Sequence, residues 1–301
     1  MTDEIITSVQ NPKIKKLLAL QQKSSERRES GLFVVEGQRE LEHCIASGYE
    51  VDTVFKVCAP PADRLQGSSL RSTLPTYPSS RDSGTCLRRV PPTFRGRGLA
   101  TSPGSCLPAG AKIFEVSKEV YEKIAYRGST EGVIAEVKAK RLTLDDVRLG
   151  GNPLVIVLES VEKPGNLGAV LRSADAAGAD AVIVCDPLTD LYNPNLIRSS
   201  IGAVFTKQVV ACSSAEAIPW LKKNGIQILT AQLQDSQWYY DTDMCCGTAI
   251  VMGTESTGLT QVWRNAADAH IKIPMLGALD SLNVSVSAAI LLFEAVRQRN
   301  A

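Results

Sequence analysis

The chain has 301 residues, 44% of them hydrophobic, and a formal net charge of +1, enough for two domains with sizeable cores but with no global attraction for a polyanion, so a nucleic-acid partner must meet a local basic face. No apolar run reaches bilayer-spanning length and Met1-Thr2-Asp3-Glu4 lacks a basic-then-apolar leader pattern, which leads us to expect a cytoplasmic protein with no membrane contact. Eight cysteines without paired CxxC spacing, with only His43 and His270 as further ligands and no Gly-x-Ser-x-Gly elbow, argue against a metal site and against a Ser-His-Asp hydrolase.

Residues 5–30 set Ile14, Leu17, Leu18 and Leu20 among Lys13, Lys15, Lys16 and Lys23 after Asn11-Pro12, and Arg27 and Arg28 extend the charge. The spacing predicts one amphipathic basic helix, its charged face either solvated or a contact for RNA phosphates. A strand over 32–35, a turn at Glu36-Gly37, a helix over 38–46 ending at Gly48 and a strand over 51–57 begin a small α/β unit.

Then the composition breaks. Residues 58–108 hold more than half of the prolines and seven arginines but no Lys, Glu or Ile, and neither helical nor strand periodicity survives. A structureless insert of that length is out of keeping with a compact domain, so the segment is either disordered or altered. Our hypothesis is a shifted reading frame, with the original frame resuming near Gly110, because Ala111-Lys112-Ile113-Phe114-Glu115-Val116 restores ordinary sequence. Reading the coding DNA in all three frames tests this, and a shifted frame with no α/β pattern would count against it. The competing reading is a basic Ser/Arg/Pro RNA-binding segment.

A strand over 112–116, a helix over 118–125 and a strand over 132–137 complete residues 1–140 as a first domain, and a polar stretch within 141–152 serves as linker. From 153 to 301, strands near 154–158, 181–185, 226–231, 249–252 and 270–273 alternate with helices near 167–177, 194–201, 214–223, 259–267 and 284–299. That rhythm predicts an α/β domain with a mainly parallel sheet covered by helices on both faces. Cys185 ends an apolar run and reads as a small buried hydrophobe.

Three stretches sit where strands hand over to helices, the edge on which open α/β sheets gather ligands. Pro164-Gly165-Asn166-Leu167-Gly168-Ala169-Val170-Leu171-Arg172 follows the first strand, Gly253-Thr254-Glu255-Ser256-Thr257-Gly258-Leu259 the fourth, and Ser281-Leu282-Asn283-Val284-Ser285 follows Ile273-Pro274-Met275. Each also has an ordinary reading: Ser281 or Asn283 as a helix cap, Arg172 as a solvated charge, and the Gly253–Gly258 segment as a plain turn. None is the Gly-x-Gly-x-x-Gly fingerprint, which leaves a dinucleotide-dependent dehydrogenase without support.

In this order and at these spacings the stretches resemble the three motifs of the SpoU, or TrmH, family of RNA ribose 2′-O-methyltransferases in the SPOUT superfamily. The matching residues are Asn166, Gly168, Ala169 and Arg172, then Gly253, Glu255, Gly258 and Leu259, then Ile273, Pro274, Met275, Ser281, Leu282, Asn283, Val284 and Ser285. Thr254 stands where the family commonly has Ser. The 32–37 segment is similar to part of that family's N-terminal substrate-binding domain.

The resemblance implies a trefoil-knotted catalytic domain, S-adenosylmethionine held by Gly253, Ile273, Met275 and Leu282, and a homodimer with its active site at the subunit interface. It also implies that Asn166, Glu255, Ser281 and Asn283 line the site and that Arg172 activates the 2′-hydroxyl. Guanidinium stays protonated in proteins, so Arg172 is expected to clamp the phosphate beside the target ribose. No metal is implied. The N-terminal domain resembles those of rRNA-modifying members, which favours rRNA over tRNA as substrate. A non-catalytic RNA-binding protein that keeps the fold is the alternative from another class.

Overall fold

The structure, a computed structural model, describes residues 5–58, 110–126, 132–254, 257–278 and 281–301. The N-terminal unit runs α1 (Pro12–Gln22), α2 (Ser24–Ser30), β1 (Leu32–Glu36), α3 (Gln38–Ala46), β2 (Val51–Val57), β3 (Lys112–Val116), α4 (Lys118–Ile124) and β4 (Val133–Lys138). Its four strands lie in the order β1-β4-β2-β3, with β4 antiparallel to both neighbours and β2 parallel to β3. The segment of unusual composition, from residue 59 onward, lies outside the described residues.

The single helix expected over residues 5–30 is two. Pro12 starts α1 and the Asn11 side chain accepts a hydrogen bond from the Lys13 amide, the usual N-terminal chemistry. The helix breaks at Lys23, which is extended (φ −113°, ψ 119°), and α2 ends on Gly31 in the left-handed region (φ +66°). The break reassigns Arg27, which is neither solvated nor free for a phosphate. Its side chain is 4% exposed and pairs with Asp190 at 2.5 Å, and its Nη1 donates to the Leu20 and Gln21 carbonyls.

The C-terminal unit runs β5 (Leu154–Glu159), α5 (Pro164–Ala176), β6 (Ala181–Cys185), α6 (Pro194–Ser200), α7 (Ala203–Thr206), β7 (Gln208–Cys212), α8 (Ser214–Lys223), β8 (Gln227–Ala231), β9 (Gln237–Trp238), β10 (Thr248–Met252), α9 (Gln261–Ala266), β11 (Ala269–Lys272) and α10 (Val284–Arg299). The seven strands lie in the order β7-β6-β5-β10-β8-β11-β9, and every pairing is parallel. Side chains that alternate along each strand separate into two cores. Leu154, Ile156 and Leu158 of β5, with Val182 and Val184 of β6 and Ile250 of β10, meet α5, α6, α7 and α10. Val155, Val157, Ile183 and Val251 point the other way, onto Leu221 of α8 and Trp263 of α9. Burial on both faces explains why these strands read as continuous apolar runs. Cys185 is buried among them, and a hydrogen bond with Cys212 together with burial pushes its thiol well above the ordinary range.

The two units share a core. One face of the N-terminal sheet, Phe33, Val35, Val54, Ala135 and Val137, belongs to the same cluster as α5, α7 and α10, whereas Val34, Phe55 and Ile134 on the other face pack on α1 and α4. Phe33 stacks on Tyr192 at 4.2 Å and lies 5.8 Å from Phe205. The Tyr192 hydroxyl donates to the Lys140 carbonyl. Among the described residues no helix is long and apolar enough to cross a membrane.

Candidate active site

The three motif stretches leave the sheet at β5, β10 and β11, and the order of strands makes β5 and β10 immediate neighbours. After β5 the chain turns into α5, whose first residue is Pro164 and whose Leu167, Val170, Leu171 and Ala174 are buried. Gly168 is fixed by a helix crossing: a Cβ there would lie 1.9 Å from the Ser199 Oγ and 2.8 Å from the Ser200 amide nitrogen of α6. After β10 the chain closes a small loop in which the Thr254 amide donates to the Gly258 carbonyl at 3.3 Å and the Gly258 amide donates back at 3.1 Å. Gly253 packs directly under that loop, where a Cβ would meet the Gly258 carbonyl group at 2.3 Å and the Leu259 nitrogen at 2.5 Å. Its glycine is thus required by backbone crossing backbone.

The third stretch ends in the N-cap of α10. The Asn283 side chain accepts from the Ser285 amide at 2.9 Å and from the Ser285 hydroxyl at 2.6 Å, so Asn283 caps the helix. Its amide nitrogen donates to the Asn166 Oδ1 at 3.2 Å. That bond ties the start of α5 to the start of α10 across 117 positions of sequence.

Between these loops lies a cavity of about 650 Å³, a size suited to a small organic ligand. Gly253, Ile273, Met275, Leu282, Ser281 and Asn283 all line it. A smaller hollow of about 110 Å³ adjoins it through Gly253, Thr254 and Val284 and is lined by Asn166. Gln232 and Arg264 line the main cavity, and each carries one buried side-chain atom with no hydrogen-bond partner among the described residues, Gln232 Oε1 and Arg264 Nε. The Gln232 Nε2 is engaged by the Gln234 carbonyl at 2.9 Å, which leaves the oxygen as an unanswered acceptor. Unmade hydrogen bonds of this kind are costly in a folded chain.

Arg172 is not among the residues lining either cavity. It lies six residues beyond Asn166 on α5, roughly 9 Å further along the axis and about 120° around it. Its side chain is exposed. Glu255 lies outside the described residues. Gln232, Gln234 and Lys272 also line the cavity but were not singled out from the sequence. The signal was available for the first two, since they follow β8, a fourth strand exit on the same edge. Among the described residues no group of three or more His, Cys, Asp or Glu could hold a metal ion.

Comparisons with known proteins cover both units of the chain. The model of the SpoU rRNA methylase family matches residues 153–293, and that of an MRM3-like substrate binding domain matches residues 11–73. A 23S rRNA (guanosine-2′-O-)-methyltransferase of Vibrio vulnificus is 38% identical over 63% of this chain and 79% of its own length. A 23S rRNA (uridine(2479)-2′-O)-methyltransferase of Streptomyces viridochromogenes is 29% identical over 98% of this chain and 92% of its own. Among solved structures, an RNA 2′-O ribose methyltransferase superposes with a TM-score of 0.73 at 34% identity, covering 99% of this chain and all of that one. An AdoMet-bound rRNA methyltransferase from Sinorhizobium meliloti gives 0.76 at 25% identity, covering 98% and 97%.

Proposed function

The chain belongs to the SpoU rRNA methylase family, and on that premise we propose how it works: it transfers a methyl group from S-adenosylmethionine to a ribose 2′-hydroxyl of 23S rRNA. The observation that carries the reading is the convergence of Gly253, Ile273, Met275 and Leu282 on one cavity. These four residues hold the methyl donor, and Gln232 and Arg264, which also line the cavity, supply polar side chains beside it. When bound, the donor supplies an activated methyl on a sulfonium, so the protein has to orient the attacking oxygen and let its proton leave. Asn166 and Asn283, joined to each other at 3.2 Å, set the floor on which the ribose rests, and Ser281 completes the lining, with Glu255 the further residue that the family resemblance assigns to the site.

Arg172 holds the phosphate next to the target ribose rather than removing the proton, because a guanidinium does not act as a base near neutral pH. Its absence from the walls of its own chain's cavity fits a homodimer in which Arg172 of the partner subunit completes the site. Val286, Ile290 and Phe293 lie on one stripe of α10, and Val286 and Phe293 are 47% and 48% exposed, which gives such a pairing its apolar surface. We assign residues 1–140 to rRNA recognition, 141–152 to the linker and 153–301 to catalysis in the trefoil-knotted unit that the family resemblance implies. The protein acts in the cytoplasm.

Incubation with labelled S-adenosylmethionine and 23S rRNA, followed by mapping of ribose methylation, tests the reading. One 2′-O-methylated nucleotide is expected, and label on a base or none at all despite donor binding would refute it. Arg172→Ala should lower turnover by ~10²-fold or more, the loss expected when a positioned reactant is misplaced by about 1 Å. Undiminished methylation would remove Arg172 from the mechanism.

A further inference from the structure

At the far edge of the seven-stranded sheet, β9 pairs among the described residues only with β11, and in that register Trp238 stands beside Lys272. The Lys272 ammonium lies 4.8 Å from the centre of the Trp238 ring. Tyr240 is near-parallel to Trp238 at 6.4 Å, with 21° between the planes. Tyr239 packs into the main core and meets Tyr240 edge-on at 5.1 Å, so it anchors the turn that presents the other two rings. Trp238 remains 39% exposed and Tyr240 47%.

Edge strands are normally guarded by charge, twist or brevity, because an open edge invites pairing with another chain. Here the edge carries two large flat aromatic surfaces and one cation. The cation is shared with the candidate active site, for Lys272 also lines the 650 Å³ cavity. Continuity of that kind singles out one occupant. RNA-modifying sites commonly meet single-stranded loops and bulges, and their unstacked bases are held on aromatic rings flanked by positive charge.

We propose that Trp238 and Tyr240, with Lys272 between them and the methyl-donor cavity, form a stacking platform for a base flanking the methylated nucleotide. The proposal rests on the methyltransferase reading above and adds a binding site for the substrate outside the three motifs. The exposed parts of Trp238 and Tyr240 give a base a surface to cover, and the Lys272 ammonium neutralises the adjoining phosphate. A stacking surface takes any base, so the platform contributes affinity and placement of the strand, while the choice of nucleotide is made elsewhere.

The test compares wild type with Trp238→Ala, Tyr240→Ala and Trp238→Phe, measuring KM for 23S rRNA, KM for S-adenosylmethionine and oligomeric state by sedimentation. Loss of one base–aromatic stack should raise the RNA KM of each alanine variant by roughly 5- to 150-fold, leave the donor KM within about 2-fold, and be largely rescued by Trp238→Phe, which keeps a ring. The phenylalanine variant also guards against misfolding as the cause. Unchanged RNA KM in both alanine variants would overturn the platform and leave the methyltransferase reading intact. A rise in donor KM alone would make Trp238 a buttress of the cavity, and loss of self-association instead of RNA binding would assign the edge to a second copy; either result also overturns the proposal. If wild type binds the donor and transfers no methyl to RNA, the function itself falls, and the platform with it.

Discussion

Gly253→Ala is the most direct probe of the cavity. The added Cβ would stand 2.3 Å from the carbonyl carbon and oxygen of Gly258 and 2.5 Å from the Leu259 nitrogen. All three are backbone atoms, so no side chain can swing away to make room. Comfortable contact needs about 3.5 Å, so the loop closed by the Thr254–Gly258 pair must retreat by roughly 1 Å. Overpacking of this kind costs about 1–3 kcal/mol. The loop is a wall of the cavity, and its retreat should raise the Kd for S-adenosylmethionine by about 5- to 150-fold, that strain expressed as affinity. Gly277→Ala is the matched control, because a Cβ there meets nothing within 4 Å. Titration calorimetry with the donor, alongside circular dichroism to establish the folded fraction, reads both variants. Wild-type affinity in a folded but destabilised Gly253→Ala protein would refute the placement of the donor between these loops.

Two glycines of the first motif should part company. Gly165→Ala faces open space and should be neutral or stabilise α5 by up to ~1 kcal/mol, whereas Gly168→Ala drives into Ser199 and Ser200 and should cost about 1–3 kcal/mol; denaturant melts would show the opposite signs. Gln232→Leu removes the unanswered acceptor, so the ligand-free protein should stay within ~1 kcal/mol of wild type while donor affinity falls by at least about 5-fold. Equal loss of stability with unaltered donor affinity would exclude Gln232 from the site. Arg27→Met leaves Asp190, whose side chain is 18% exposed, without its buried partner, and should cost about 3 kcal/mol, the low end for breaking such a pair, with a matching drop in the denaturant midpoint.

The alternation of strands and helices in the second half was legible because buried parallel strands leave apolar runs and each helix carries its own periodicity. The helices at Ser214–Lys223 and Val284–Arg299 and the strand at Ala181–Cys185 have the bounds read from sequence. β7 and β9 were not foreseen. Gln208–Cys212 is five residues with only Val209 and Val210 buried, and Gln237–Trp238 is two exposed residues, so neither leaves an apolar run, and both owe their strand geometry to a neighbour already in place. The break at Lys23 was illegible for a related reason: nothing in Gln22-Lys23-Ser24 forbids a helix, and the turn is held by Arg27 reaching Asp190, 163 positions away. At the site, the three motif stretches stood out by their glycines and small polar residues. Gln232 and Arg264 did not, because their distinction is the lack of a partner, which only three-dimensional surroundings reveal.

The seam of Phe33, Tyr192 and Phe205 bears on how such proteins can be re-purposed. With rings from both halves interleaved and the Arg27–Asp190 pair riveting them nearby, the N-terminal module is welded to the C-terminal one. Exchanging residues 1–140 for a foreign recognition module would strip a wall from the catalytic half and leave its greasy flank bare. New specificity would have to be introduced by resurfacing the welded body, with the joint left untouched.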